Sequence, residues 1–125
     1  EEPKILLFLA HWCSHCQKEV KTIQKWINDN GSPDPIKIYS ILTSINSNQP
    51  NFPPDKWLES ENWSSPTFVD NDQDGVAKHF GIRGFPFWVI IDQNGKIITR
   101  LSGSYTAEEF QIILANTLQH DKNAD

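Results

Sequence analysis

The chain has 125 residues and a formal net charge of -5 at pH 7, a length that fits one domain built around a single core. This acidic balance, without any cluster of Lys and Arg, excludes a nucleic-acid partner held by phosphate contacts. The longest apolar run, residues 5–10, is far too short to span a bilayer. Residues 1–3 lack the basic region of a signal peptide, so we expect any export segment or membrane anchor to lie outside this chain.

The first predicted elements are a strand and a helix, joined by a turn that holds both cysteines. Residues 5–9 are a continuous apolar run, which is typical of a strand buried on both faces. The helix is indicated by inward-facing residues at helical spacing, namely Cys16, Val20, Ile23 and Ile27. Cys13 is therefore expected at the start of this helix, with Cys16 one turn further in.

The position of Cys13 predicts a reactive thiol. The unpaired N–H groups and partial positive charge of a helix N-terminus favour a thiolate, and His11 and His15 would favour it further when protonated. Cys16, on the inward stripe, is expected to be shielded. After Cys13 attacks a foreign disulfide, Cys16 can close a disulfide with it and release the substrate.

Two other interpretations of the cysteine pair remain open. A purely structural disulfide would close a very short loop and would constrain the unfolded chain by only about 2 kcal/mol. A zinc site would need four ligands, and His11 and His15 could complete a local set. The corresponding alternative functions are a copper or zinc carrier and a redox-inactive interaction domain.

The middle of the chain predicts a βαβ unit followed by an irregular insert. Residues 36–42 indicate a second strand parallel to the first, residues 43–51 a loop, and the segment after Pro53 a short helix. The aromatic residues of this insert are expected to pack as a satellite of the core rather than to form a partner-binding surface. They are Phe52, Trp57 and Trp63.

An acidic run separates the next two predicted elements, a short strand over residues 67–69 and a short helix over residues 74–80. Residues 70–75 imitate the start of a calcium-binding EF-hand loop. The twelfth position of that loop is Gly81, however, where calcium needs a glutamate. Turn chemistry with an aspartate N-cap is the preferred interpretation.

The last part of the chain predicts a β-hairpin and an amphipathic helix. Residues 87–91 form a doubly buried strand, Asn94-Gly95 signals a hairpin, and residues 97–101 return antiparallel. Thr106 and Glu109 match a capping box, and from His120 onward we expect a frayed tail. The inward face of the helix is marked by Phe110, Ile113, Leu114, Thr117 and Leu118. This order favours an α/β fold, with a central mixed sheet covered by helices on both faces.

Two motifs together carry a family resemblance. The run Trp12-Cys13-Ser14-His15-Cys16 at a strand-to-helix turn, with Gly-Phe-Pro before a later strand, resembles the thioredoxin superfamily. Residues 70–103 contain V-A-x-x-F-G-I-x-G-x-P and then I-I-D-x-x-G-K-I, which is similar to the TlpA/ResA branch of exported thiol-disulfide oxidoreductases. The resemblance implies a thioredoxin-like fold.

The resemblance also implies roles for individual residues. Cys13 would be the nucleophile and Cys16 the resolving thiol, supported by Trp12, Ser14 and His15 of the same motif. Pro86 would be a cis-proline that faces the cysteines and offers no N–H donor beside the sulfurs. The main chain of Phe85 would then be free to pair with an extended substrate peptide.

Three positions bear on how far the resemblance extends. Leu7 stands where thioredoxin has a buried acid, so the usual proton acceptor for the second cysteine is missing. Lys21 stands where many relatives have a proline, which predicts an unkinked first helix. Glu19 matches an acidic position common in the TlpA branch, but an exposed helix charge would give the same residue.

We expect a protein thiol-disulfide oxidoreductase that acts outside the cytoplasm on cysteine pairs of other proteins, with an unidentified redox partner. We expect no cofactor, no metal and no nucleic acid, and a monomeric thioredoxin-like domain over residues 1–125. Donation from His15 to the Cys13 thiolate would stabilise the reduced form and make the pair more oxidising than that of thioredoxin. The Phe85–Pro86 bond is expected to be cis, next to Cys13, and to lead into a strand parallel to the first.

Overall fold

The secondary structure follows the predicted order closely. The computed structural model describes residues 2–123. The elements are β1 (Lys4–Leu9), α1 (Ser14–Asn30), β2 (Lys37–Leu42), α2 (Pro54–Ser60), β3 (Thr67–Val69), α3 (Gly75–Phe80), β4 (Phe87–Ile91), β5 (Ile97–Ser102) and α4 (Ala107–Asn123). Each predicted strand and helix is therefore confirmed, with bounds close to those expected.

The described strands form a mixed sheet of five with the order β3-β2-β1-β4-β5. β1 pairs with β2 in parallel, as predicted, but with β4 in the antiparallel sense, so the predicted parallel direction of β4 is wrong. β3 ends at the same end of the sheet as β1, because β3, β2 and β1 are parallel. β4 starts at this same end, where Phe87 pairs with Phe8, and runs the other way.

Two apolar clusters cover the two faces of the sheet, as predicted. On one face, residues from α1, α2 and α4 pack against Ile5, Leu7 and Leu9 of β1. On the other face, α3 packs against Leu6 and Phe8 of the same strand. β1 is thus buried on both sides, which is why its sequence is apolar without alternation.

The aromatic residues of the insert divide between core and surface. Trp57 is buried and Trp63 packs against the larger core cluster, as predicted. Phe52 is 48% exposed, so its predicted place in a satellite of the core is wrong. Its ring lies 5.9 Å from that of His11, centroid to centroid. Phe52 belongs to a loop of residues 43–53, called the β2–α2 loop below, that contacts the cysteine turn instead of the core.

The acidic run before α3 forms hydrogen-bonded turns, as predicted, but the cap comes from Asp70 rather than from the adjacent Asp74. The Asp70 carboxylate accepts the N–H groups of Val76 and Ala77 at 2.9 and 3.0 Å. Asp74 adopts a left-handed backbone with φ of 55°, and its carboxylate accepts the Thr43 hydroxyl instead. The run therefore satisfies the free N–H groups at the start of α3 from one turn upstream.

The last helix begins as predicted and continues further than predicted. Thr106 and Glu109 form the reciprocal bonds of a capping box, at 2.9 and 3.1 Å. The prediction of a frayed tail from His120 onward is wrong for residues 120–123, which continue α4. Asp121 accepts the Gln93 N–H at 2.9 Å and ties this end of α4 to the hairpin turn. Residues 124–125 of the expected tail lie outside the described residues.

Candidate active site

The two cysteines occupy different environments at the start of α1. Cys13 is the N-cap residue, with extended backbone angles and a partly exposed side chain. Its N–H donates to the carbonyl of Ala10 at 3.1 Å, and its carbonyl accepts the Gln17 N–H at 3.1 Å. Cys16 lies one turn later and is buried in the main core cluster. Both are free thiols, and their placement is the one predicted from the spacing.

The buried thiol of Cys16 resists ionisation. Burial raises the pKa of Cys16 far above its ordinary value, although the Ala10 N–H, 3.4 Å from the Cys16 sulfur, acts in the opposite direction. The nearby Cys13 and the charge of Glu19 add to the rise. Cys16 can therefore act as a thiolate only if a base takes its proton.

A proline loop faces the exposed cysteine. The Phe85–Pro86 peptide bond is cis, and the Cys13 sulfur lies 3.8 Å from the carbonyl oxygen of Phe85. Pro86 is buried, and its carbonyl accepts the Gly103 N–H at 2.9 Å. Within residues 2–123, Phe85 has no main-chain hydrogen bond to another main-chain group. The structure thus brings Phe85 and Cys13 together, and the Phe85 main chain pairs with no other main-chain group of the described residues.

His11 holds the β2–α2 loop against the cysteine turn. Its ring is fully buried. Nδ1 lies 2.7 Å from the Pro50 carbonyl, which can only accept, and Nε2 accepts the Asn46 N–H at 3.1 Å. A ring with one nitrogen accepting is neutral, so in this network His11 supplies no positive charge beside Cys13. The prediction that His11 supports the thiolate as a cation is therefore wrong.

Trp12 connects three segments around the site. Its indole N–H donates to the Ser44 carbonyl in the β2–α2 loop at 2.8 Å. Its ring also meets that of Phe85 edge to face, with centroids 5.9 Å apart and an interplanar angle of 83°. The indole is 36% exposed, so it presents an apolar surface beside Cys13 as well.

Glu19 is a buried acid of α1. It is fully buried, so the alternative of an exposed helix charge is wrong. Oε1 accepts the Tyr105 N–H at 2.6 Å, and Oε2 has no partner among the described residues. Burial raises the pKa of Glu19 to about 7, although the Tyr105 bond lowers it. The sequence contained the signal, because Glu19 falls on the helical stripe that begins with Cys16.

The other motif residues are less engaged. Ser14 and His15 lie exposed in the first turn of α1, and no side-chain hydrogen bond joins His15 to Cys13. Lys21 pairs with Glu61 of the segment after α2 at 2.6 Å, and α1 runs unbroken from Ser14 to Asn30. Leu7 is buried in the sheet, so the buried acid of this site comes from α1 and not from β1.

The described part of the chain offers no obvious metal centre. Across residues 2–123, no three or more Cys, His, Asp and Glu side chains are grouped so that they could hold a metal ion. Both ring nitrogens of His11 are engaged by the β2–α2 loop, so the local zinc set considered from the sequence lacks one of its ligands. Over the same residues, no helix is both long enough and apolar enough to cross a membrane.

Comparison with known proteins gives a consistent relationship. The family model described as a thioredoxin-like domain matches residues 1–118. The thiol-disulfide oxidoreductase ResA of Geobacillus thermodenitrificans (strain NG80-2) is 26% identical over 106 residues. That alignment covers 85% of this chain and 58% of ResA, so the chain spans somewhat more than half of this curated relative.

Solved structures agree on the fold. StoA of Bacillus subtilis matches with a TM-score of 0.72 and 23% identity, covering 89% of this chain and 81% of StoA. A thiol-disulfide isomerase of Corynebacterium glutamicum matches with a TM-score of 0.77 and 15% identity, covering 94% of this chain and 80% of that one. At these identities the likeness is one of fold, and the mixed sheet with its helices is thioredoxin-like.

Proposed function

Because the chain belongs to the thioredoxin-like family, we propose that it is a protein thiol-disulfide oxidoreductase that exchanges its Cys13–Cys16 pair with cysteine pairs of other proteins. The observation that carries this proposal is the partly exposed Cys13 at a helix N-terminus, backed by the buried Cys16 and faced by the open main chain of Phe85. We propose further that residues 1–125 form one such domain.

Reduction of a substrate follows from the positions of the two sulfurs. The Cys13 thiolate attacks one substrate sulfur, a mixed disulfide forms, and the other substrate sulfur leaves as a thiolate. The Cys16 thiolate then attacks the Cys13 sulfur, closes the Cys13–Cys16 disulfide and releases the second substrate thiolate. Two electrons and two protons pass to the substrate, and the same steps in reverse oxidise a dithiol.

Glu19 is the residue we assign to the proton of Cys16. It follows Cys16 on the same inward face, its Oε2 has no hydrogen-bond partner in the described structure, and its pKa of about 7 suits proton exchange near neutral pH. Glu19 would accept the proton of Cys16, which Leu7 cannot do because its side chain has no basic group.

Substrate docking is proposed at the proline loop. Pro86 has no N–H. Within residues 2–123 the Phe85 N–H has no main-chain partner, and the only hydrogen-bond contact of the Phe85 carbonyl is the Cys13 sulfur at 3.8 Å, so an extended peptide can pair with this main chain. Trp12 would cover the neighbouring side of the peptide. Ser14 and His15 would tune the potential of the pair, with His15 favouring the Cys13 thiolate and a more oxidising disulfide.

A location outside the cytoplasm is also part of the proposal. It is supported by the resemblance to the exported TlpA/ResA branch. Labelling of Cys13 in intact cells with a maleimide that cannot cross membranes tests this location. Labelling only after lysis would contradict it.

The exchange itself is tested by trapping. Cys16→Ser should accumulate a mixed disulfide with substrate proteins, because the second step is lost, whereas Cys13→Ser should accumulate none. The adducts are read on non-reducing gels and by mass spectrometry. Equal trapping by the two variants would overturn the assignment of Cys13 as the attacking thiol.

A further inference from the structure

A cavity of about 290 Å³ adjoins the proposed docking site. Its wall includes Ser44, Asp74, Lys78, Arg83 and Phe85. The mechanism described above uses only Phe85 of these residues. The exposed side chains of Lys78 and Arg83 are therefore available to contribute to the choice of substrate.

The cavity is continuous with the reactive turn on two sides. Phe85, on one side, lies 3.8 Å from the Cys13 sulfur through its carbonyl oxygen. Ser44, on the other side, accepts the indole N–H of Trp12 at 2.8 Å. A polypeptide that pairs with the Phe85 main chain would thus pass directly over this cavity.

The unpaired charge of the cavity is positive. Lys78 and Arg83 are exposed, and neither makes a side-chain hydrogen bond or ion pair within residues 2–123. The Asp74 carboxylate accepts the Ser44 N–H and hydroxyl and the Thr43 hydroxyl at 3.0 to 3.2 Å. Two open cations therefore face one carboxylate already engaged by three donors, on a chain whose formal net charge is -5.

We propose that this cavity receives an acidic side chain close to the reacting cysteine of the substrate protein. The proposal rests on the oxidoreductase function proposed above and names a class of substrate for it. An extended chain rises about 3.3 Å per residue, so a side chain some two or three residues from the cysteine reaches the cavity. Arg83 offers a fork that matches a carboxylate, and Lys78 adds a point charge.

The test uses peptides that differ only in charge. Each carries one cysteine as a mixed disulfide with 2-thiopyridine, and the residues two and three positions before and after the cysteine are Glu, Gln or Lys. Attack by Cys13 on the peptide sulfur releases thiopyridone, which is followed by its absorbance. We expect the Glu peptide to react about two to five times faster than the Gln peptide at low salt, and the Lys peptide more slowly.

Variants locate the effect. Arg83→Gln should lower the Glu/Gln rate ratio, and the double variant Lys78→Gln/Arg83→Gln should bring it close to one. Lys96→Gln is the matched control, because it removes the same charge from the exposed hairpin turn at the opposite end of β4. Its ratio should equal that of the unmodified protein.

The uncharged bis(2-hydroxyethyl) disulfide separates the two proposals. If it and all peptides fail to oxidise the Cys13–Cys16 pair, the oxidoreductase function itself is overturned. If it reacts and the Glu and Gln peptides react equally, only the acidic-substrate proposal is overturned. A preference lost equally in Lys96→Gln would also overturn it, because the effect would then reflect overall charge.

Discussion

Two buried carboxylates of this molecule have pKa values shifted in opposite directions. Asp70, 7% exposed, accepts hydrogen bonds from the Thr43 hydroxyl and from three main-chain N–H groups before and within α3. Burial raises the pKa of Asp70, but these donors outweigh it and hold the pKa below its ordinary value. Glu19, 0% exposed, has one donor, and its pKa is raised to about 7. Asp70 has enough donors to offset its burial and Glu19 does not, which separates a structural acid from one that can exchange a proton.

The two histidines beside the cysteines also differ in how many hydrogen-bond partners their rings have. Both ring nitrogens of His11 are engaged, and the ring ties the β2–α2 loop to the cysteine turn. His15 is exposed and has no side-chain hydrogen bond within the described residues. Asp70 and His11, whose hydrogen-bonding atoms all have partners, hold the structure around the site in place. Glu19 and His15, which have atoms without a partner in residues 2–123, remain available to exchange protons or to contact a thiolate. The following predictions test this division.

Asp70→Ala should cause the largest loss of stability. The N–H groups of Asn71, Val76 and Ala77 lose their acceptor, while the Thr43 hydroxyl keeps Asp74. We therefore expect the free energy of unfolding to fall by about 3 kcal/mol. Because the pKa of Asp70 is lowered on folding, its contribution is present above the ordinary aspartate pKa and is lost as the pH falls below about 4. Urea unfolding at pH 7 and pH 3 measures both effects.

Asp72→Ala is the matched control for Asp70. Asp72 lies in the same acidic run and is exposed, so its removal should change the stability by no more than about 0.5 kcal/mol. Equal losses in the two variants would show that the acidic run, and not the Asp70 bonds, stabilises α3.

Glu19→Gln should have the opposite effect on stability above neutral pH. The pKa of Glu19 is raised on folding, so its stabilising effect is complete below the ordinary glutamate pKa and is lost as the pH rises through about 7. That loss is worth about 3 kcal/mol. The Gln variant should lack it and should be the more stable protein at pH 8, in urea unfolding over pH 4 to 8.

The same variant should be slow in the second exchange step. Without a base near Cys16, closure of the Cys13–Cys16 disulfide should slow by about tenfold or more. Glu108→Gln, at an exposed position of α4, serves as the control for both measurements. A Glu19→Gln variant with the pH profile and closure rate of the unmodified protein would remove Glu19 from the mechanism.

His11→Phe should loosen the β2–α2 loop. Two hydrogen bonds to the loop disappear, so we expect a loss of about 2 kcal/mol and faster hydrogen exchange of the Asn46 amide, measured by NMR. His79→Phe, on the exposed side of α3, should leave that amide unchanged. Unaltered protection of Asn46 in His11→Phe would contradict the role of His11 in holding the loop.

His15→Ala should make the smallest change. In the described structure the free Cys13 thiol makes no bond to His15, but we propose that the Cys13 thiolate accepts one. Without that charge-assisted hydrogen bond the pair should be more reducing by about 30 mV, equivalent to about 1.4 kcal/mol. Equilibration with glutathione measures the potential, with Ser14→Ala as the control in the same turn. A potential that stays constant, or that moves the other way, would exclude this role for His15.

Local patterns were enough to predict most of the elements. The Cys16 stripe, the apolar run before it and the Thr106 capping box each depend on residues close together in the chain. The same holds for the position of Cys13 at the helix start. Glu19 lay within reach of this reasoning, because its place on the inward stripe indicated burial, although its single donor, Tyr105, is 86 residues away.

What the sequence by itself determined was therefore the order of strands and helices and the two cysteines at the start of α1. The tertiary structure decided the direction of β4, the partners of His11 in the β2–α2 loop and the docking of Asp121 on the hairpin turn. Each of these depends on contacts between groups that are distant along the chain. Such contacts also decide whether a buried carboxylate has several hydrogen-bond donors, as Asp70 does, or one, as Glu19 does. Periodicity in the sequence indicates which face of a helix is buried but not which groups pack against it.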